Sequence, residues 1–177
     1  RYRLDDHDVQ VVSAAHANRD AIGFSINSVL NKTARLSVQF QFPRSYDFSV
    51  KNTPNIDWLH EDEHTTVIRS QTKNSLLLER KIDDLIFNIF ISWRGNALLK
   101  QNSQHAFELI PQGDKLFELT VEYRASSKQQ NRPLKFAETV QSANSYWQAY
   151  WKSGAFVDLT RITALRKVYK CTRFPTG

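Results

Sequence analysis

Apolar and polar residues alternate with a period of two over much of residues 9–123. Leu36, Val38, Phe40 and Phe42 alternate with Ser37, Gln39 and Gln41. Phe117, Leu119, Val121 and Tyr123 alternate with Glu118, Thr120 and Glu122. Successive strand side chains point to opposite faces, so these runs predict half-buried strands, one face dry and one wet. Residues 85–93, LIFNIFISW, are apolar on both faces and predict a central strand covered on both sides. Residues 9–16 and 21–28 predict a strand pair across Asn18-Arg19-Asp20. Residues 65–69 and 75–82 predict another, with Lys73-Asn74 in the connection. Residues 105–110 form a further short strand before the turn sequence Pro111-Gln112-Gly113-Asp114. About eight closely spaced strands with no helical pattern between them fit a mainly β fold, a two-sheet antiparallel β-sandwich.

The period changes after Pro133. Phe136, Val140, Ala143, Trp147 and Tyr150/Trp151 recur at steps of four and three, one apolar stripe on a helix. Gly154 is placed to stop that helix. The expected organisation is a sandwich over residues 1–135, one C-terminal linker helix over 136–154, and a stub over 155–177. The aromatic residues Trp147, Tyr150 and Trp151, with Asp158 beyond the stop, are candidates for packing against another domain.

Composition narrows the chemistry. Of 177 residues 41% are hydrophobic and 12% aromatic, with five glycines and five prolines, as in an ordinary globular chain. The net charge of +6 invites a nucleic-acid reading. However, Arg161, Arg166, Lys167, Lys170 and Arg173 crowd the last residues with no acid among them, and without them the two signs nearly balance. A basic footprint on a folded face is what nucleic-acid binding needs, so no nucleic-acid partner is expected. No apolar run is long enough to span a membrane as a helix, and no membrane partner is expected. The single Cys171 excludes an internal disulfide and a cysteine-based zinc site. Asn31-Lys32-Thr33 is a lone glycosylation sequon, compatible with a secreted protein. The chain contains no methionine, which leads us to expect that it does not start at the beginning of its reading frame.

The candidate chemistry is sparse. His60-Glu61-Asp62-Glu63-His64 matches H-E-x-x-H, which on a helix would set two zinc ligands on one face. Pro54 upstream, three consecutive acids and the strand-like residues 65–68 argue instead for a polar loop entering a strand. Asp83-Asp84 is a carboxylate pair, but adjacent strand residues face opposite ways and cannot flank one bond. A solvated turn is expected there. Trp93 and Trp147 fit core packing, whereas Trp58 lies in a polar loop and is free to act as a platform. Trp58, His60 and His64 are therefore the candidate sugar contacts. No G-x-S-x-G elbow and no glycine-rich phosphate loop is present, and no catalytic residue, cofactor or metal ligand is assigned.

Four segments carry a resemblance. WQAYWKSGAFVDL (147–159) resembles the W-x-x-F-W-x-S-G-x-A-I-D-L segment of six-hairpin glycosidase-like proteins. VVSAAHANRDAIGFSINS (11–28) is similar to their strand–H-P-x-R-D–strand unit, with Ala17 where proline is usual. LSVQFQFP (36–43) resembles a strand ending in F-P. LERKIDDLIFNIFISW (78–93) resembles an R-x-x-D-x-x-x-Y-x-V-x-x-x-W run, with Phe87 in place of tyrosine. Together they span about residues 4–160. The resemblance implies a supersandwich-like N-terminal domain joined by a helix to an (α/α) toroid that carries the catalytic carboxylates. The partners it implies are that toroid in cis and a carbohydrate bound by the whole enzyme. Further strands are expected before Arg1, and an acid-containing helix is expected where the basic residues 161–177 stand. The chain thus reads as a non-catalytic accessory fragment of a glycoside hydrolase. The alternative is a stand-alone sugar-binding or adhesion sandwich.

Overall fold

A computed structural model describes residues 1–45, 56–125 and 132–155. It is mainly β, with antiparallel sheets and one C-terminal helix. The strands are β1 (Tyr2–Leu4), β2 (His7–Ala15), β3 (Ala21–Asn27), β4 (Val38–Gln41), β5 (Arg44–Ser45) and β6 (Ile56–Asp57). There follow β7 (His64–Thr72), β8 (Ser75–Ile82), β9 (Leu85–Arg94), β10 (Asn96–Ser103), β11 (Ala106–Gln112) and β12 (Leu116–Ala125), then helix α1 (Phe136–Tyr150). The chain divides into two compact units, Arg1–Ala143 and Asn144–Gly177.

Seven strands form one sheet in the order β1-β2-β3-β12-β9-β8-β7. A three-stranded sheet has the order β10-β11-β4, and β5 pairs with β6. The two expected pairs are present: β2 with β3, and β7 with β8 through the Lys73-Asn74 turn. Strands β1 and β10 were not expected. The first is three residues long, and Asp5 and Asp6, both at positive φ, turn it onto β2. The second follows a tight turn at Gly95 (φ +101°), and its consecutive Ala97, Leu98 and Leu99 hide the alternation.

One face of the seven-stranded sheet is apolar. Val9, Ile26, Leu76, Leu78, Ile89, Ile91, Phe117, Leu119 and Val121 join Phe42, Phe107 and Leu109 from the other sheet in one buried cluster. Val38, Phe40, Ala97 and Leu99 pack against it, half buried. Register explains the membership: Leu119 lies opposite both Phe24 and Trp93, and Val121 opposite both Ile22 and Ile91, so all point to one side.

Two expectations about faces need correction. Strand β9 is central in the sheet, but Leu85 (63% exposed) and Ile86 leave its first residues open on both sides. The supposedly wet face of β12 is buried: Thr120 and Glu122 are almost inaccessible. The first part of α1 and the segment before it pack on that face. A Cβ built on Gly23 would sit 3.0 Å from Phe136 Cδ2 and 3.4 Å from Thr139, and Thr139 is fully buried. Thr120 Oγ1 donates to the Leu134 carbonyl at 2.8 Å, which leaves Ser92 Oγ to donate to Thr120 Oγ1 at 2.8 Å. Glu122 accepts from Arg19 Nε and Nη2 at 2.8 and 2.7 Å and from Arg124 at 2.6 Å. Burial works to raise the Glu122 pKa, but the two guanidiniums outweigh it and hold the carboxyl below its ordinary range.

The expected helix stripe turns inward only along its first turns, and its inward face centres closer to Thr139. Its most buried residue is Thr139, and Phe136, Val140 and Ala143 are only half buried. Within the second unit Tyr146, Trp147, Tyr150 and Trp151 stack on one another with ring centroids 5.1–6.5 Å apart and remain 41–52% exposed. The helix closes in one wide turn, Trp151–Ala155, with Gly154 at φ +89° as the stop. Asp158 lies outside the described residues. No helix among them is long and apolar enough to cross a membrane. The sequon asparagine Asn31 is fully buried, its amide donating to the carbonyls of Ile26 (3.0 Å) and Lys115 (2.6 Å), so in the folded chain it is a structural amide.

Replacing Gly23 with valine forces methyl groups into the Phe136–Thr139 contact. The expected loss is about 1–3 kcal/mol, the usual cost of overpacking. Urea unfolding of Gly23→Val against wild type measures it, and an unchanged midpoint would show that α1 does not rest on Gly23.

Candidate functional site

The expected Trp58, His60 and His64 lie on one segment, where β6 leads into a 3₁₀ turn (Glu61–Glu63) and β7 begins, and of the three Trp58 and His64 share a cavity at the end of β4. This small cavity of about 240 Å³ is lined among others by Phe42, Asp57, Trp58, Glu61, His64 and His105. Trp58 is 55% exposed and presents its indole to solvent.

The H-E-x-x-H spacing does not place its histidines on one helical face. His60 precedes the 3₁₀ turn and His64 is already the first residue of β7, in extended backbone. Their rings serve different partners. Asp57 is buried, and its carboxylate accepts the Leu59 N–H (2.8 Å) on one oxygen and meets His60 Nδ1 (2.5 Å) with the other. The first contact is the Asx-turn geometry of an aspartate two residues before its donor. The Leu59 N–H, helped by His60, lowers the Asp57 pKa, and the hydrogen bond to Asp57 raises that of His60. The pair is therefore an ion pair over the range where both ionise, with half of the imidazole in solvent.

His64 corrects its reading as a loop residue. It is buried, and its ring lies on that of His105 with centroids 3.8 Å apart and planes tilted by 33°. Arg80 Nη2 donates to His64 Nδ1 at 3.3 Å, which puts the His64 proton on Nε2. His105 Nε2–H donates to the Glu61 carbonyl at 2.9 Å, and its Nδ1 shares a 2.7 Å hydrogen bond with Thr66 Oγ1. The Arg80 contact favours a neutral His64. Burial first, then the neighbouring His105, Arg80 and Arg44, pull the His64 pKa down to about 4.

Arg80 is the third member of this cluster and no spacing pattern announces it. It is 2% exposed, yet among the described residues its partners are neutral. They are the Phe42 carbonyl (2.6 Å), the Pro43 carbonyl (3.1 Å), His64 Nδ1, and the Phe42 ring beneath the guanidinium at 5.3 Å. Arg44 stands nearby and pairs with Glu63 and Asp83, the latter in the expected solvated turn after β8. Asp57, Arg80 and His105 were not singled out in the sequence because they come from three separate segments. The only local signal was a charged residue at an inward position of an apolar strand, Arg80 between Leu78 and Ile82.

The arrangement suits recognition better than covalent chemistry. It offers an exposed indole, an aspartate–histidine pair and a small concave space, but the Asp57 carboxylate, the His105 ring and both Nη atoms of Arg80 are engaged within the protein. No protein family matches the chain, and no curated protein matches it in sequence.

Arg80→Met keeps the stem but strips the hydrogen bonds to the Phe42 and Pro43 carbonyls. We expect unfolding free energy to fall by about 1–3 kcal/mol, the cost of buried unsatisfied carbonyls, in chemical denaturation. No change would mean that water replaces the guanidinium. The His60–Asp57 pair gives a pH signature. A raised His60 pKa stabilises fully below the ordinary histidine value and the effect is lost as pH rises through the folded one. A lowered Asp57 pKa stabilises above the ordinary aspartate value and the effect is lost as pH falls through the folded one. The stability difference between wild type and His60→Ala should therefore peak at mildly acidic pH and shrink on both sides. A difference that stays flat from acid to alkaline pH refutes the ion pair.

Proposed function

We propose that this chain is the non-catalytic N-terminal accessory domain of a carbohydrate-active glycoside hydrolase of the six-hairpin type. Its two larger sheets form a β-sandwich in the supersandwich manner, and α1 is the bridge to an (α/α) toroid in cis. The observation that carries the reading is the order of parts. A long antiparallel β body is followed directly by one helix whose last turns expose Tyr146, Trp147, Tyr150 and Trp151 as a mutually stacked aromatic face. Four large aromatic rings half in water favour a protein partner over permanent solvation.

The segments of the resemblance also support it by their contacts. Arg80, from the R-x-x-D run, donates to both carbonyls of the Phe42-Pro43 strand end. Arg19, from the H-x-x-R-D unit, clamps Glu122, and the Ala17 N–H of the same unit donates to Ser142 on α1 at 3.1 Å. Residues that recur at fixed places in the resemblance thus serve as structural ties, as expected of a supporting domain whose chemistry is done elsewhere.

A second reading rests on a different observation. The exposed Trp58 lining the small cavity with Asp57, which His60 pairs with, is the arrangement a stand-alone sugar-binding module would use. Glycan-array binding by this chain, abolished in Trp58→Ala, would favour that module over the accessory domain.

The accessory reading predicts no turnover on any glycoside panel by the purified chain. Hydrolysis of one of them by this chain would refute it. It also predicts that the aromatic face is sticky in isolation. Binding of an apolar dye such as ANS should drop several-fold in the Trp147→Ser/Trp151→Ser double variant. Equal dye binding would remove that face as the docking surface.

A further inference from the structure

The stacked histidines lie on the polar seam between the two larger sheets. Thr66 and His64 belong to β7 and Arg80 to β8, all on the seven-stranded sheet. His105 directly precedes β11, and Phe42-Pro43 directly follow β4, both on the three-stranded sheet. The Arg80 bonds to the Phe42 and Pro43 carbonyls and the Thr66–His105 bond tie one sheet to the other, His105 Nε2–H reaches the 3₁₀ turn at Glu61, and the Arg80–His64 bond braces β8 against β7. Phe42 N–H closes the ring by donating to the His105 carbonyl at 3.0 Å. We propose that the His64–His105 stack is an acid-operated latch. With both rings neutral it fastens this end of the three-stranded sheet and the 57–63 segment to β7 and β8, and on protonation it releases them while the rest of the core stays folded.

The reason is geometric. Nδ1 of His64 is the acceptor for a guanidinium, so a proton there sets two donors, both cationic, against each other. Nδ1 of His105 faces the Thr66 hydroxyl, which can turn from donor to acceptor and keep that bond, so a charged His105 is opposed by its neighbours' charge and not by a lost partner. Two imidazolium rings 3.8 Å apart repel in a site nearly closed to solvent. The charges that face His64 are mostly of the wrong sign to help: Arg80 from β8, Arg44 from β5, and His105 itself from the turn before β11. Asp57 from β6 favours the charged form, but its carboxylate is already committed to Leu59 N–H and His60, and Glu61 of the 3₁₀ turn lines the same cavity as the two rings. Glu63 and Asp83, at the edge of the cluster, are paired with Arg44.

The sign follows from linkage. The released ring ionises near the ordinary value of 6.5 and the latched one only near 4, so opening is promoted as pH falls between those values. The opening constant then grows by up to about tenfold per pH unit. Above that window the latch stays shut.

Native-state hydrogen exchange on the whole chain, corrected for intrinsic rates, reads this directly between about pH 7 and about pH 4.5. The Phe42 amide reports the latch. The Tyr123 amide, bonded to the Asp20 carbonyl at the far part of β12, reports global opening. The opening constant at Phe42 should rise by at least about tenfold over that range while Tyr123 stays level. His64→Asn, whose amide oxygen can still accept from Arg80 but cannot titrate, should flatten the Phe42 profile. A level Phe42 profile, a parallel rise at Tyr123, or an unchanged slope in His64→Asn overturns the latch. If that variant fails to fold, the imidazole nitrogen shifts of the wild type decide. A neutral Nε2–H tautomer at His64 persisting well below the ordinary histidine range upholds the latch, and a plain titration near 6.5 rejects it.

Discussion

The middle of strand β12 is buried on both faces, and the rest of the described structure answers to that constraint. On one side Phe117, Leu119 and Val121 enter the apolar cluster shared with the three-stranded sheet. On the other, Thr120 and Glu122 are covered by the segment around Leu134 and by the first turns of α1. A strand with one apolar and one polar face can be buried twice only if each polar group finds a partner, because an unpaired one costs about 1–3 kcal/mol. That requirement accounts for the Ser92–Thr120–Leu134 chain of hydrogen bonds. It also accounts for the two guanidiniums on Glu122 and for the glycine at position 23, where α1 comes closest to the sheet.

The other interior of the molecule is polar for a different reason. Between β4, β7, β8 and β11 the sheets meet through Arg80, His64, His105 and Thr66 rather than through aliphatic side chains. Arg80 is a buried cation balanced by carbonyl dipoles, an imidazole and an aromatic face. Such a seam is directional, so it positions the strand ends and the Trp58–His60 segment more tightly than an apolar contact would. The proposed supporting role and the proposed latch are compatible: the first depends on the aromatic end of α1 and the second on the opposite kind of chemistry, a buried histidine stack.

Much of the β architecture was legible because it depends on side-chain alternation and turn residues, which are local. The hairpins at Asn18-Arg19-Asp20 and Lys73-Asn74, the turn at Gly113 and the helix stop at Gly154 all follow from short-range preferences. The faces were less legible. Glu118, Thr120 and Glu122 look like a solvent face, and nothing nearby in the sequence says that Arg19, 103 positions away from Glu122, makes the middle of that face habitable for a carboxylate. The candidate site divides in the same way. Trp58 and His60 stand out as polar-loop residues, whereas the ring of His64 turns away to meet His105 across a gap that only pairing of distant strands closes.

The amino-acid sequence alone determined that the chain is a series of short antiparallel strands followed by a helix with an aromatic end. Those features arise from the two- and near-four-residue periods of side chains along the backbone. The tertiary structure decided which polar residues are buried and what they do there. It turned Glu122 into a clamp, Asn31 from a sequon into an internal amide, and two histidines far apart in the chain into a stacked pair. The physical reason is that the cost of burying a charge or a hydrogen-bonding group depends on its partners. Those partners are brought by strand register and sheet packing, which no local stretch of sequence contains.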